Sequence, residues 1–175
     1  MHKKILFVSF FMLLLASCNS DENPAPKPLT FEPELLLRGW TYDAILWDGT
    51  LYAYDHNPNC YRDFFRFRNN NEQVYQFEET TFLNTICSSS QTVLTWEPVG
   101  NHINFYFGAG NKVDTYEIIS LTTELLTYAI DRDIDKDGKN DHLIITAIPY
   151  DPYSSYGPKT KKNIQLKVFP TKLKF

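Results

Sequence analysis

The chain has 175 residues, of which 43% are hydrophobic, 15% aromatic and 22% charged, with 10 prolines, 7 glycines and a formal charge of −4. These figures exclude a collagen, a disordered tail, a strongly basic nucleic-acid binder and a polytopic membrane protein. They also average over two unlike parts, because residues 1–17 form an address and not part of the folding unit.

His2, Lys3 and Lys4 make a short positive start, and Ile5 to Leu15 is an apolar run of eleven residues broken only by Ser9. At about 1.5 Å per residue this run is too short to span a hydrocarbon core of about 30 Å, and it fits the apolar region of a signal peptide. Leu15-Ala16-Ser17-Cys18 follows directly. It resembles the lipobox of bacterial lipoproteins, which implies cleavage before Cys18, a diacylglycerol thioether on its sulfur and acylation of the new N-terminus. Three acyl chains at about 0.8 kcal/mol per buried CH₂ would make a membrane the lasting partner of the chain. Asn19-Ser20-Asp21-Glu22 is similar to the acidic export tag of Bacteroidota lipoproteins placed outside the outer membrane, although two acids near a terminus also suit a solvated tail. The expected location is therefore the outer membrane, lipid-anchored, at the cell surface or alternatively in the periplasmic leaflet. Pro24, Pro26 and Pro28 alternate with other residues and favour an extended tether over residues 18–30, so the folded domain is predicted over 31–175.

Without Lys3 and Lys4, 15 basic residues face 21 acidic ones, a balance of −6. No acid follows Asp151, while Lys159, Lys161, Lys162, Lys167, Lys172 and Lys174 do. Such lysines guard a terminal edge strand against foreign pairing, which the alternation Lys172-Leu173-Lys174-Phe175 suits, or else they meet an anionic partner. With Cys18 taken by lipid, Cys60 and Cys87 remain as an even pair in an oxidising compartment and predict a disulfide, stabilising by about 3.5 kcal/mol in the chain-entropy model. A metal pair or reactive thiol would need a spacing that is absent.

The first predicted element is a helical turn at Pro33 to Leu37. Period-two stretches then follow one another. Trp40, Tyr42, Ala44 and Leu46 alternate with Thr41, Asp43 and Ile45, and Asp48-Gly49 supplies a hairpin turn before Leu51 to Tyr54. Phe65 and Phe67 alternate with Arg66 and Arg68, Asn69-Asn70-Asn71 breaks the run, and Tyr75 and Phe77 alternate with Gln76 and Glu78. Pairing Phe67 with Tyr75 and Phe65 with Phe77 would put four rings on one face. Strands are predicted at Thr92 to Glu97, Ile103 to Phe107, Val113 to Ile119, Thr123 to Ile130, His142 to Ile148 and Ile164 to Phe169. No window of 3.6 periodicity follows the tether. The pattern predicts an all-β, up-and-down antiparallel meander of about eight to ten strands, closed into a barrel to remove its edges, with a sandwich as the alternative.

Leu37-Arg38-Gly39-Trp40, Cys60-Tyr61-Arg62-Asp63 with Phe65 and Phe67, Cys87, Thr95-Trp96 and Tyr116-Glu117-Ile118-Ile119-Ser120-Leu121 occur in that order. Together they resemble the lipocalin-like domain of small Bacteroidota lipoproteins, over roughly residues 35 to 130. Here Gly39 directly precedes Trp40, where that family leaves one residue between them. The resemblance implies an up-and-down barrel and, by analogy with lipocalins, an apolar ligand cavity. It does not imply a known ligand.

One stretch carries site chemistry. Asp131 to Asp141 contains Asp-x-Asp-x-Asp-Gly-x-x-Asp, in which Asp133, Asp135, Asp137 and Asp141 would supply side-chain ligands to calcium and Lys139 a backbone carbonyl. Calcium takes six to eight oxygens at about 2.3 to 2.6 Å, and alternate carboxylates around a Gly turn converge on one point. Ile144 stands at the twelfth position, where an EF-hand has Glu, and both flanks are strands. The stretch resembles instead the calcium hairpins of FG-GAP propeller blades, and the ion would be structural. The alternative is a solvated Asp-Gly hairpin tip balanced by Arg132, Lys136 and Lys139.

Catalytic patterns are missing. His56, His102 and His142 lack ligand spacing, no G-x-S-x-G elbow occurs, and Gly108-Ala109-Gly110 has Val113 where a dinucleotide loop has its third glycine. The expectation is a non-enzymatic, outer-membrane-anchored lipoprotein whose barrel binds a small apolar or amphipathic ligand. The alternative is an accessory subunit of an outer-membrane complex with a filled barrel and no ligand. Aromatics near one mouth are candidates to line a ligand pocket, as are Tyr150, Tyr153 and Tyr156 in the loop Pro149 to Pro158, a loop that also suits a plain connection.

Overall fold

Alternation of apolar and polar residues builds a sheet with one buried face, and here the sheet rolls up on that face. The computed structural model describes residues 27–57, 59–69, 75–83, 87–108, 110–153 and 167–168. The signal segment, Cys18, Tyr156 and all of the tail lysines except Lys167 lie outside the described residues. A 3-10 turn at Pro33–Leu36 precedes ten strands: β1 Gly39–Trp47, β2 Thr50–Ala53, β3 Phe64–Asn69, β4 Tyr75–Leu83, β5 Ser88–Val99, β6 His102–Phe107, β7 Asn111–Leu121, β8 Leu126–Arg132, β9 Asp141–Pro149 and β10 Lys167–Val168. From β3 to β9 each strand is antiparallel to the next, β3 and β9 both pair with β1, and the eight strands β1 and β3 to β9 close a barrel. The expected up-and-down antiparallel meander is thus present, closed into a barrel as predicted. Among the described residues no helix is long and apolar enough to cross a membrane.

β1 has an unusual edge. Its first residues, Gly39 to Thr41, pair with β3, and its last, Ala44 to Trp47, pair with β2 on the same side. β2 and β3 are therefore two pieces of one barrel position, and residues 54–57 and 59–63 leave the wall between them as an excursion. Asp48 and Gly49 have φ of 47° and 69°, both positive, as a type I′ hairpin between β1 and β2 requires. β10 lies parallel on the outer edge of β2, with Lys167 opposite Tyr52. Of the predicted last strand over 164–169 only these two residues are described.

The β3–β4 register differs from the expected one by two residues. Phe67 pairs with Phe77, Phe65 with Glu79 and Asn69 with Tyr75. A two-residue slip preserves which side chains face inward, so alternation alone does not distinguish the two registers. The observed one sets Arg66 opposite Glu78 and places Glu79, inward in either register, opposite Phe65.

The waist of the bore is filled by rings. Phe65 of β3 lies 6.2 Å from Tyr128 of β8, Phe67 lies 6.2 Å from Phe105 of β6, and Phe77 lies 4.8 Å from Phe105, all between strands that are not neighbours. Tyr116 packs at 4.4 Å on Phe105 and at 4.5 Å on Tyr128. The base is closed by Trp40, fully buried, whose indole N–H donates to the Leu36 carbonyl at 3.1 Å and whose ring lies 5.7 Å under the Arg38 guanidinium. A β-carbon on Gly39 would sit 2.2 Å from the Tyr150 carbonyl oxygen, so only glycine lets the end of β9 pass this close to the start of β1.

Candidate functional site

The excursion is pinned at both of its ends. Cys60 is disulfide-bonded to Cys87, as predicted, with Cα atoms 5.4 Å apart. Three residues on, the carboxylate of Asp63, 1% exposed, accepts from the Phe82 backbone N–H at 2.7 Å and from the Tyr54 hydroxyl at 2.8 Å. The Phe82 donor belongs to the part of β4 that has run past the end of β3, so Asp63 replaces a missing ladder partner. The Asp63 N–H donates to Nδ1 of His56, which leaves Nε2 as the protonated nitrogen donating to the Tyr42 carbonyl. Burial, with the Asp63 charge as the next cause, pushes the Tyr54 phenol far above its ordinary range.

The clamped excursion makes one wall of a groove on the outside of the barrel, about 450 Å³ in volume. The floor is the outward face of β3, β4 and β5, with Arg66, Arg68, Glu78, Thr80, Ser89 and Gln91; Phe64, Phe82, Tyr61, Pro152 and Tyr153 form its apolar sides. Outward positions of a barrel strand are ordinarily polar, and Phe64 is buried there because the chain leaving β9 covers it, with the Tyr150 ring 5.7 Å away. Arg68 is tied to Glu78 at 3.1 Å. Arg66 instead lies against two rings, 5.2 Å from the centroid of Phe64 and 5.0 Å from that of Tyr153, with no carboxylate partner among the described residues. A neighbouring hollow of about 260 Å³ shares Arg66, Arg68 and Tyr153.

Inside the barrel, above the rings, lies a polar layer. The Tyr42 hydroxyl donates to the Glu79 carboxylate, and the Arg132 guanidinium donates to Asp114. Desolvation raises the Glu79 pKa, and the opposing pull of the Tyr42 hydrogen bond and of Arg132 does not cancel it. Burial likewise raises the phenols of Tyr42, Tyr116 and Tyr128.

The Asp-rich hairpin joins β8 to β9. Carboxylate oxygens of Asp133, Asp135 and Asp141 converge within 4.8 Å of one another. Asp137 is not in this group; its carboxylate accepts from the Lys139 N–H at 2.8 Å. Asp133 Oδ2 accepts from Gly138 N–H at 3.0 Å, while its Oδ1 is buried without a hydrogen-bond partner. Asp141 accepts from Ile134 N–H and from the Trp47 indole at 2.9 Å. Gly138, with φ 88°, supplies the sharp turn.

Of the predicted site residues, the structure brings Cys60 and Cys87 together and gathers three of the four aspartates. Of the loop tyrosines, Tyr153 lines the groove and Tyr150 covers its Phe64 side. Arg66, Asp63 and Glu79 carried no sequence signal beyond the Cys-x-x-Asp spacing, since each acquires its role from a strand distant in the chain.

No family model matches the chain, and no curated protein does. Among solved structures the chain is similar to a major allergen of cockroaches, Per a 4, with 10% identity, 70% of this chain and 71% of that chain covered, and a TM-score of 0.49. It is similar to a lipocalin-like protein from Bacteroides uniformis at 15% identity, covering 66% of this chain and 99% of that one, with a TM-score of 0.45. For bovine odorant binding protein complexed with its natural ligand the values are 13%, 71%, 77% and 0.42. At such identities and scores the likeness extends to the general outline of the barrel and no further.

Proposed function

We propose that this chain is a lipid-anchored, non-enzymatic binding protein of the outer membrane that takes a small amphipathic molecule, and that the molecule sits in the groove outside β3–β5. The observation that carries this reading is the contrast between a bore whose waist is crossed by ring contacts and a groove of about 450 Å³ with aromatic sides and a polar floor. That volume lies within the usual range for small-ligand sites. Support for the anchor is the run Leu15-Ala16-Ser17-Cys18 behind an apolar segment, and for surface placement the acids Asp21 and Glu22. Native mass spectrometry of the mature protein from its own cells tests the reading. A retained small molecule that is lost in Tyr153→Ala is expected. A bare mass with a stoichiometric protein companion would give the accessory-subunit reading instead, which the filled waist favours.

We also propose a structural calcium ion on the β8–β9 hairpin. Asp133, Asp135 and Asp141 would hold it, with Asp137 and the Lys139 carbonyl joining by a small turn of the loop. Its support is the buried, unpartnered Asp133 Oδ1 beside two further carboxylates. An orphaned buried oxygen is costly unless something binds it.

A further inference from the structure

We infer that the groove selects a small organic anion, a carboxylate on an apolar body, and that Arg66 reads the charge. The inference rests on the proposed groove site and names its ligand class. The Arg66 guanidinium lies over the rings of Phe64 and Tyr153, 5.2 and 5.0 Å from their centroids, contacts that hold the group in place without supplying an acid to its N–H donors. A guanidinium edge matches two oxygens of a planar anion with two parallel hydrogen bonds. The other cation on the floor, Arg68, already has Glu78, and Arg66 has no acid among the described residues. The groove therefore carries one uncompensated positive charge, restrained by its two ring contacts so that less side-chain freedom is lost on binding. Tyr61 and Phe82, whose rings lie 5.9 Å apart in the same groove, offer the surface for an apolar body.

The probes are 2-naphthoate and its neutral amide, 2-naphthamide, titrated calorimetrically into the mature protein, with backbone amide shifts locating the site. Naphthoate is expected to shift β3–β5 amides and to bind about tenfold or more tighter than the amide, as loss of a charge-assisted pair implies. Arg66→Gln is expected to bring naphthoate down to the amide's affinity and leave the amide unchanged. Arg66→Lys keeps the charge without the flat fork and is expected to fall between. Equal binding of the two probes, or an unchanged preference in Arg66→Gln, overturns the anion inference and leaves the groove standing as a site. Shifts confined to the bore around Tyr42 and Glu79, or no binding of either probe, overturn both.

Discussion

Glu79 is a carboxylate set above a layer of rings, with the Tyr42 hydroxyl as its donor. Because desolvation raises its pKa in the folded state, the folded chain holds this proton more tightly than the unfolded one. Stability from this group is therefore lost as pH rises from the ordinary carboxylate value through the folded value, and it is unaffected below both. Glu79→Gln keeps an oxygen for the Tyr42 hydroxyl and cannot ionise. Its urea midpoint is expected to equal or exceed that of the native chain at about pH 8, with a flatter change from about pH 5. An identical pH dependence in the two proteins would refute this account. Glu79→Ala should lose about 1–3 kcal/mol, because the Tyr42 hydroxyl stays buried without its acceptor. None of this is visible in a chain read alone. Gln76, Glu78 and Glu79 look alike as polar residues on an alternating strand, and the inward place of Glu79 follows from Phe77, but its value as a partner depends on where β1 passes.

At the scale of elements, two connections interrupt the regular meander, and both were partly legible. Turn residues and alternation are local, so the Asp48-Gly49 hairpin and most strands could be read directly. The excursion between β2 and β3 could not, because nothing local says that these two strands share one edge of β1. What could be read was its clamp, in the Cys60-x-x-Asp63 spacing and the pairing of Cys60 with Cys87. The β8–β9 hairpin could be read as a cation loop, though with four aspartates where the structure gathers three. Since the Trp47 indole donates to Asp141, the loop has a built-in reporter. Calcium at about 1 mM is expected to release heat, raise the melting temperature and change Trp47 fluorescence, while Asp133→Asn should abolish all three. No heat at that concentration would remove the ion from the account.

For the molecule as a whole, the barrel was legible and the groove was not. The groove exists because the chain leaving β9 returns beside β1 and sets Tyr150 against Phe64 and Tyr153 against Arg66, a juxtaposition of residues about ninety positions apart. The proposed anchor, in contrast, rests wholly on local sequence. Metabolic labelling with palmitate is expected to mark the native chain and to be lost in Cys18→Ala, with the variant leaving the membrane fraction or persisting as an uncleaved precursor. Equal labelling of the two would place the lipid elsewhere or nowhere.

Closure through β1 and β9 also sets a schedule. Trp40 is paired with Pro149 and Trp47 with Leu143, so the first barrel strand lacks its second neighbour until almost the last described strand has been made. Contacts of such long separation form late and slowly. As the chain folds, seven strands would stand as an open sheet with two bare edges until β9 docks on β1, and the Cys60–Cys87 bond, which spans only 27 positions, can close much earlier and hold the first strands in register.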